Sequence, residues 1–193
     1  MSAPKQHDTD SFVDGAMRAF WARGYEATSI NDLVQATGIN RGSIYASFDG
    51  KRDIFLAALE RYDERYRARF LAALERDYAP KDAILAAFRA AAEQVADPDS
   101  PAGCLVVNSA VELSPHDPEI AAAVTASLGE LHHFFRSRIE AAQSAGAMSK
   151  DLGADATATM LYALFLGLRV MSRSKAPDER KAQIVDQVAA LLG

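Results

Sequence analysis

Cysteine is nearly absent: the 193 residues hold one, Cys104, which excludes an intrachain disulfide and a cysteine-rich zinc site and suits a reducing compartment. Histidine is scarce, with four scattered residues. No Ser/His/Asp order, glycine-rich phosphate loop or carboxylate pair presents itself, so no catalytic activity and no cofactor or metal is expected. The longest apolar run, residues 160–168, falls far short of the roughly 20 residues that cross a bilayer. Residues 1–10 are polar and lack the apolar core of an export signal, so a cytoplasmic protein is expected. Positive charge is in deficit, 21 Lys and Arg against 26 Asp and Glu for a net of −5, which argues against a uniformly basic nucleic-acid coat and leaves room only for a local patch. What is present, 49% hydrophobic and 24% charged residues, is the composition of a folded chain.

No stretch alternates apolar and polar residues with β-branched enrichment, whereas almost every segment repeats with period 3.6, so the fold class is all-α. Phe12, Val13, Ala16, Met17 and Phe20 share one face of a first helix ending at Gly24. Short helices are expected over residues 29–37 and 41–48, and a long one over about 51–77. Further helices follow over 81–96, 104–113, from Pro118 toward Gly146, about 154–174 and 177–192, with residues 97–103 as a loop. Ile120, Val124, Leu128, Leu131 and Phe135 form one buried stripe on the Pro118 helix. The division is a three-helix helix-turn-helix head, residues 1–50, and a six-helix body, residues 51–193.

The most informative stretch is T-S-I-N-D-L-V-Q-A-T-G-I-N-R-G-S-I-Y-A-S-F-D-G-K, residues 28–51. Ser29 and Asp32 make a capping box, Gly38 supplies positive φ for a tight turn, and Asn40 caps the next helix. Two helices across such a turn are the helix-turn-helix unit. Its second helix enters the DNA major groove with its N-terminal residues at base edges, here Asn40, Arg41, Gly42 and Ser43. Arg41 is the main expected contact, to guanine O6 and N7 or to a phosphate; Gly42 allows close backbone approach. Ile44 and Phe48 point into the core. Tyr45 and Ser47 at the flanks, and Thr28 and Ser29 at the start of the preceding helix, are placed to reach phosphate oxygens, and Lys51 opens the following helix at an anion-favouring N-terminus. Residues 1–55 carry six Lys or Arg against seven Asp or Glu, so steering falls to Arg41, Lys51 and Arg52, and weak non-specific binding with a modest salt slope is expected.

These residues, as A-x-x-x-F-W-x-R-G-Y-E-A-T-S-I-x-D-L, A-T-G-I-N-R-G-S-I-Y-x-S-F and K-R-D-I-F between Ala16 and Leu56, resemble the DNA-binding head of the tetracycline-repressor-type (TetR) regulators. The resemblance implies phosphate contacts at Thr28, Tyr45 and Lys51 and groove contacts from Asn40 to Ser43. Ser47 departs from it, standing where many relatives have histidine, which puts that flank's phosphate contact in doubt.

The body offers two further surfaces. Residues 160–168 are apolar all round, more than one internal face requires. The resemblance implies that the last two helices of each chain, through Leu161, Leu164, Leu168, Ile184, Val188 and Leu191, pair as a four-helix homodimer interface. It also implies an effector cavity within the helices from Lys81 onward. Candidate lining residues are the aromatics Phe70, Phe88, Phe134, Tyr162 and Phe165, for each of which core packing is the alternative, then Cys104, Asn108 and Glu112 at i, i+4 spacing on one face, and His132. The adjacent pair His132 and His133 lacks the spacing a helical metal site uses. Cys104 sits near a helix start, where the dipole favours a thiolate, which makes it a candidate oxidant or electrophile sensor, against the alternative of a small buried hydrophobe. The expected function is a homodimeric repressor released from a palindromic operator in double-stranded DNA by a small-molecule effector. A redox or electrophile sensor acting through Cys104, an all-α enzyme and a helical carrier without DNA function stand as alternatives.

Overall fold

The computed structural model describes residues 6–94 and 100–193; the polar residues 1–5, the last two residues of the expected 81–96 helix and the part of the 97–103 loop up to residue 99 lie outside them. Every element among the described residues is helical. Helix α1 (Gln6–Arg23) is followed by α2 (Ile30–Thr37) and α3 (Arg41–Tyr45). Ser29 and Asp32 cap α2 reciprocally, and Gly38 ends it at φ 72° with its N–H bonded to the Val34 carbonyl. Asn40 caps α3, its side chain accepting from Ser43 N at 3.0 Å. The end of α3 at Tyr45 is earlier than the period of its apolar residues predicts, because Phe48 reaches the core from a turn.

The expected long helix is α4 (Lys51–Tyr62), a π-helical stretch (Asp63–Ala68) and α5 (Arg69–Asp77) in direct succession. Arg67 grips Asp63 within that stretch, and Ser127 donates to the same carboxylate at 2.5 Å. Burial opposes the Asp63 charge, but these hydrogen bonds outweigh it and hold the carboxyl below its ordinary pKa. Wide turns of this kind occur often at functional sites. Then come α6 (Pro80–Ala92), α7 (Leu105–Glu112), α8 (Pro118–Ser144), α9 (Ala154–Arg173) and α10 (Asp178–Leu192). Pro80 and Pro118 open their helices where a missing N–H is harmless.

Two apolar clusters hold the chain together. One joins α1, α2 and α3 to α4, α7 and the start of α8, around Phe20, Trp21, Phe55 and Tyr62; the other joins α5, α6, α9 and α10 to the rest of α8, around Phe88 and Phe135. The head is therefore not a free bead: α4 and α7 belong to its core. Over its whole length α9 is apolar enough to cross a membrane by length and composition, a wider window than residues 160–168. It packs on α6, α7, α8 and α10.

Candidate functional site

At the free end of the head, Asn40, Arg41 and Gly42 are exposed and Ser43 half-exposed, while Ile44, one position on, is buried. Tyr45 is 55% exposed and Ser47 is exposed beside it. The N-terminal turn of α3 thus presents one guanidinium, a hydroxyl and a near-bare backbone to solvent, with the apolar side locked down. An exposed N-terminal turn on a buried scaffold is what a groove-entering helix requires.

Three expected contacts are altered by their surroundings. Thr28 is fully buried, its hydroxyl donating to the Gly24 carbonyl at 2.7 Å, so it fastens the α1–α2 turn and does not face a phosphate. The Ser29 hydroxyl is engaged with Asp32 on both sides of its bonding capacity. Arg52 is held by Asp117 at 2.6 and 2.9 Å and by Glu119 at 2.7 Å, which removes it from steering and ties α4 to α8. Lys51 donates to the Tyr25 carbonyl at 3.0 Å and lies 4.0 Å from the Tyr25 ring centroid, so its charge sits at the edge of the head in a fixed place.

The body contains a cavity of about 180 Å³ between α1, α4, the π-helical stretch, α5, α6, α7, α8 and α9. Of the expected lining residues, Phe70, Cys104 and Phe165 border it. Phe88 is fully buried and meets Phe165 edge to face at 5.7 Å as packing. Cys104 departs from the helical phase because it is the cap of α7 with an extended backbone (φ −140°, ψ 127°). Asn108 and Glu112 consequently line a separate groove with Arg23, Val111 and Arg173. Glu112 is a fastener within the fold, since its carboxylate accepts the backbone N–H groups of Tyr25 at 3.1 Å and Glu26 at 2.9 Å. His132 and Tyr162 pair edge to face at 5.9 Å, with His132 Nε2 3.1 Å from Thr159 Oγ1, away from the cavity.

Sequence patterning passed over Trp21, which lines the cavity from α1, and Tyr62, whose hydroxyl lies 3.3 Å from Cys104 Sγ. Burial holds the Tyr62 phenol well above its ordinary pKa, and Cys104 adds to the effect, so it remains a neutral donor. Arg173 gave no signal in the sequence either: it donates to the Trp21 and Ala22 carbonyls at 3.0 and 2.8 Å, capping α1 from the end of α9.

On the outer side, Met160 and Val170 are 42% and 51% exposed, and Leu164, Ile184 and Leu191 are half-buried. Leu161, Leu168 and Val188 face the other way: all three are buried within this chain, so they belong to its core and not to an outer interface.

Residues 12–58 match the model for bacterial regulatory proteins of the tetR family, and residues 80–188 match a tetracyclin repressor-like C-terminal domain. The chain is 33% identical to the HTH-type transcriptional repressor ComR of Escherichia coli over 94% of its own length and 87% of that protein. It is 32% identical to the uncharacterized HTH-type transcriptional regulator YezE of Bacillus subtilis over the whole of both. Among solved structures, a cysteine mutant of the TetR family transcriptional regulator CifR, complexed with 26 bp double-strand operator DNA, superposes with a TM-score of 0.86 at 26% identity over all of both chains. With its exposed α3 on a buried scaffold and both halves of the chain matched, this protein belongs to the TetR family of DNA-binding transcriptional regulators.

Proposed function

We propose that the protein is a cytoplasmic homodimeric repressor that leaves a palindromic operator when a small molecule occupies its body. The observation that carries this reading is a pair of surfaces: an exposed turn at Asn40–Ser43 in the head, residues 1–50, and in the body, residues 51–193, the exposed Met160 and Val170 of α9 beside the half-buried Leu164, Ile184 and Leu191 of α9 and α10. Two half-sites about 34 Å apart need two heads held together, and Leu164, Ile184 and Leu191 supply the apolar cover. Arg41 reads a base or phosphate, with Ser43, Tyr45, Ser47 and Lys51 flanking it. The effector acts by binding the DNA-incompetent arrangement of heads more tightly. A mobility shift on the protein's own promoter tests the reading: a specific complex that Arg41→Ala weakens at least ten-fold is expected, and unchanged binding would refute the groove assignment.

A second reading, oxidant or electrophile sensing through Cys104, draws support from the half-exposed thiol at the cavity wall beside Tyr62. Promoter release by hydrogen peroxide or an alkylating agent that persists in Cys104→Ser would end it.

A further inference from the structure

The cavity has an unusual balance of polar groups. Trp21 is 1% exposed, it lines the cavity, and its buried indole Nε1–H has no acceptor among the described residues. Arg169, on the same wall, donates to the Gly103 carbonyl, and no described carboxylate pairs with it. The Tyr62 hydroxyl donates to the Cys104 sulfur, a weak acceptor, and its oxygen takes a hydrogen bond from Arg169. Among the described lining residues the Gln94 side-chain oxygen is taken by Gly103 N–H and the Ser127 hydroxyl is given to Asp63, so donors converge with few acceptors to meet them, and an unpaired buried donor is costly. An occupant that supplies acceptors, above all a negatively charged one, satisfies the indole and the guanidinium together. A cationic occupant would face Arg169 with no carboxylate among the described lining residues to offset it.

Shape narrows the class. Trp21, Tyr62 and Tyr66 form an aromatic cluster with centroids 4.9 to 5.3 Å apart, and Leu128, Leu131 and Phe165 complete an apolar wall. The volume of about 180 Å³ slightly exceeds the roughly 150 Å³ of a cavity that takes up benzene. One six-membered ring with a carboxyl group fits that volume.

We propose that the effector of this regulator is a small planar carboxylate, an aromatic or conjugated acid of about the size of benzoate, whose oxygens accept from Trp21 Nε1–H and Arg169. The proposal rests on the ligand-released repressor reading and adds a route. Trp21 is part of α1, the first helix of the DNA-binding head, and its own carbonyl is held by Arg173 of α9. A ligand bonded to Trp21 thus touches the head directly.

Trp21 is the chain's sole tryptophan, so its emission reports occupancy. Benzoate titrated into the full-length protein is expected to change that emission saturably and to lower affinity for the promoter fragment about five- to hundred-fold. Toluene, the same ring without acceptors, is expected to bind at least ten-fold more weakly in the unaltered protein. By calorimetry, Trp21→Phe should bind benzoate about ten-fold more weakly. Toluene binding as tightly as benzoate, an emission unmoved by benzoate at millimolar concentration, or full benzoate affinity in Trp21→Phe would each overturn the assignment. If benzoate binds as expected but the protein shifts no promoter DNA with or without it, the repressor reading fails and the ligand class stands.

Discussion

Gly24 lies against Glu112. A Cβ placed on Gly24 would stand 3.1 Å from Glu112 Oε2 and 3.3 Å from Oε1, and Gly24 already has φ +92°. The carboxylate is busy with the N–H groups of Tyr25 and Glu26, so the last turn of α7 is bolted to the α1–α2 turn of the head. The other end of that eight-residue helix begins at Cys104, on the cavity. Together, α7 and the Arg173 cap on α1 are two physical links between cavity and head.

Gly24→Ala should therefore destabilise the fold by about 1–3 kcal/mol, from left-handed backbone strain and a displaced carboxylate. Glu112→Ala should cost about 1–2 kcal/mol by releasing two charge-assisted hydrogen bonds at a partly exposed site. Because the two changes damage one contact, urea denaturation of the double variant should fall short of their sum by more than about 0.5 kcal/mol, the scale of coupling between touching residues. Strict additivity would mean that the contact carries no energy.

In the head, stability and reading should separate. Asn40→Ala removes the cap on Ser43 N and should lower unfolding free energy by about 1 kcal/mol. Arg41→Ala removes an exposed side chain and should change stability by less than about 0.5 kcal/mol while promoter binding collapses. Paired thermal melts and mobility shifts check both. A large fall in melting temperature for Arg41→Ala would reassign it to the scaffold.

The head was legible because its signals are short-range: a reciprocal Ser29 and Asp32 cap, a left-handed Gly38 and an Asn40 cap each act within three or four residues. The all-α class follows from period 3.6 in the same way, whereas the ends of α3 at Tyr45 and of α6 at Ala92 fall short of the bounds it predicts. The body resisted where that period breaks. The π-helical stretch at Asp63–Ala68 shifts the phase that carries Tyr66 and Arg67 to the cavity, and the extended backbone at Cys104 turns the thiol off the face of Asn108 and Glu112. Thr28 shows the converse failure: a hydroxyl at a helix start looks available until the Gly24 carbonyl, folded back over it, claims its proton. Apolar character alone did not separate Leu161, Leu168 and Val188, which fill the core, from Leu164, Ile184 and Leu191 at the rim.

Acid should loosen the joint between α4 and α8. Hydrogen bonds from Arg52, then the backbone N–H of Ile120, bring the Asp117 carboxyl down to about 2. A depressed folded pKa contributes stability that is complete above the unfolded value of about 3.9 and is lost as pH falls toward the folded one. Asp117→Asn should therefore lower the melting temperature at neutral pH and flatten the decline between about pH 4 and pH 2. Arg52→Gln should reproduce much of that flattening. An acid limb identical in all three proteins would place the titrating groups elsewhere.

The rim and core leucines of α9 give the sharpest test of assembly. Leu164 is half-buried at the edge of the core, so Leu164→Glu disturbs the internal packing less than a change at a fully buried position and sets a charge where a second copy's apolar face should lie. Together with Ile184→Glu it should convert a dimer to a folded monomer by sedimentation, and the promoter complex should weaken because each monomer grips one half-site alone. Leu161→Ala, fully buried, should instead cost about 2–5 kcal/mol through an internal cavity and leave the folded fraction dimeric. If the doubly charged variant still sediments as a dimer, this face of α9 and α10 is not what joins the two heads.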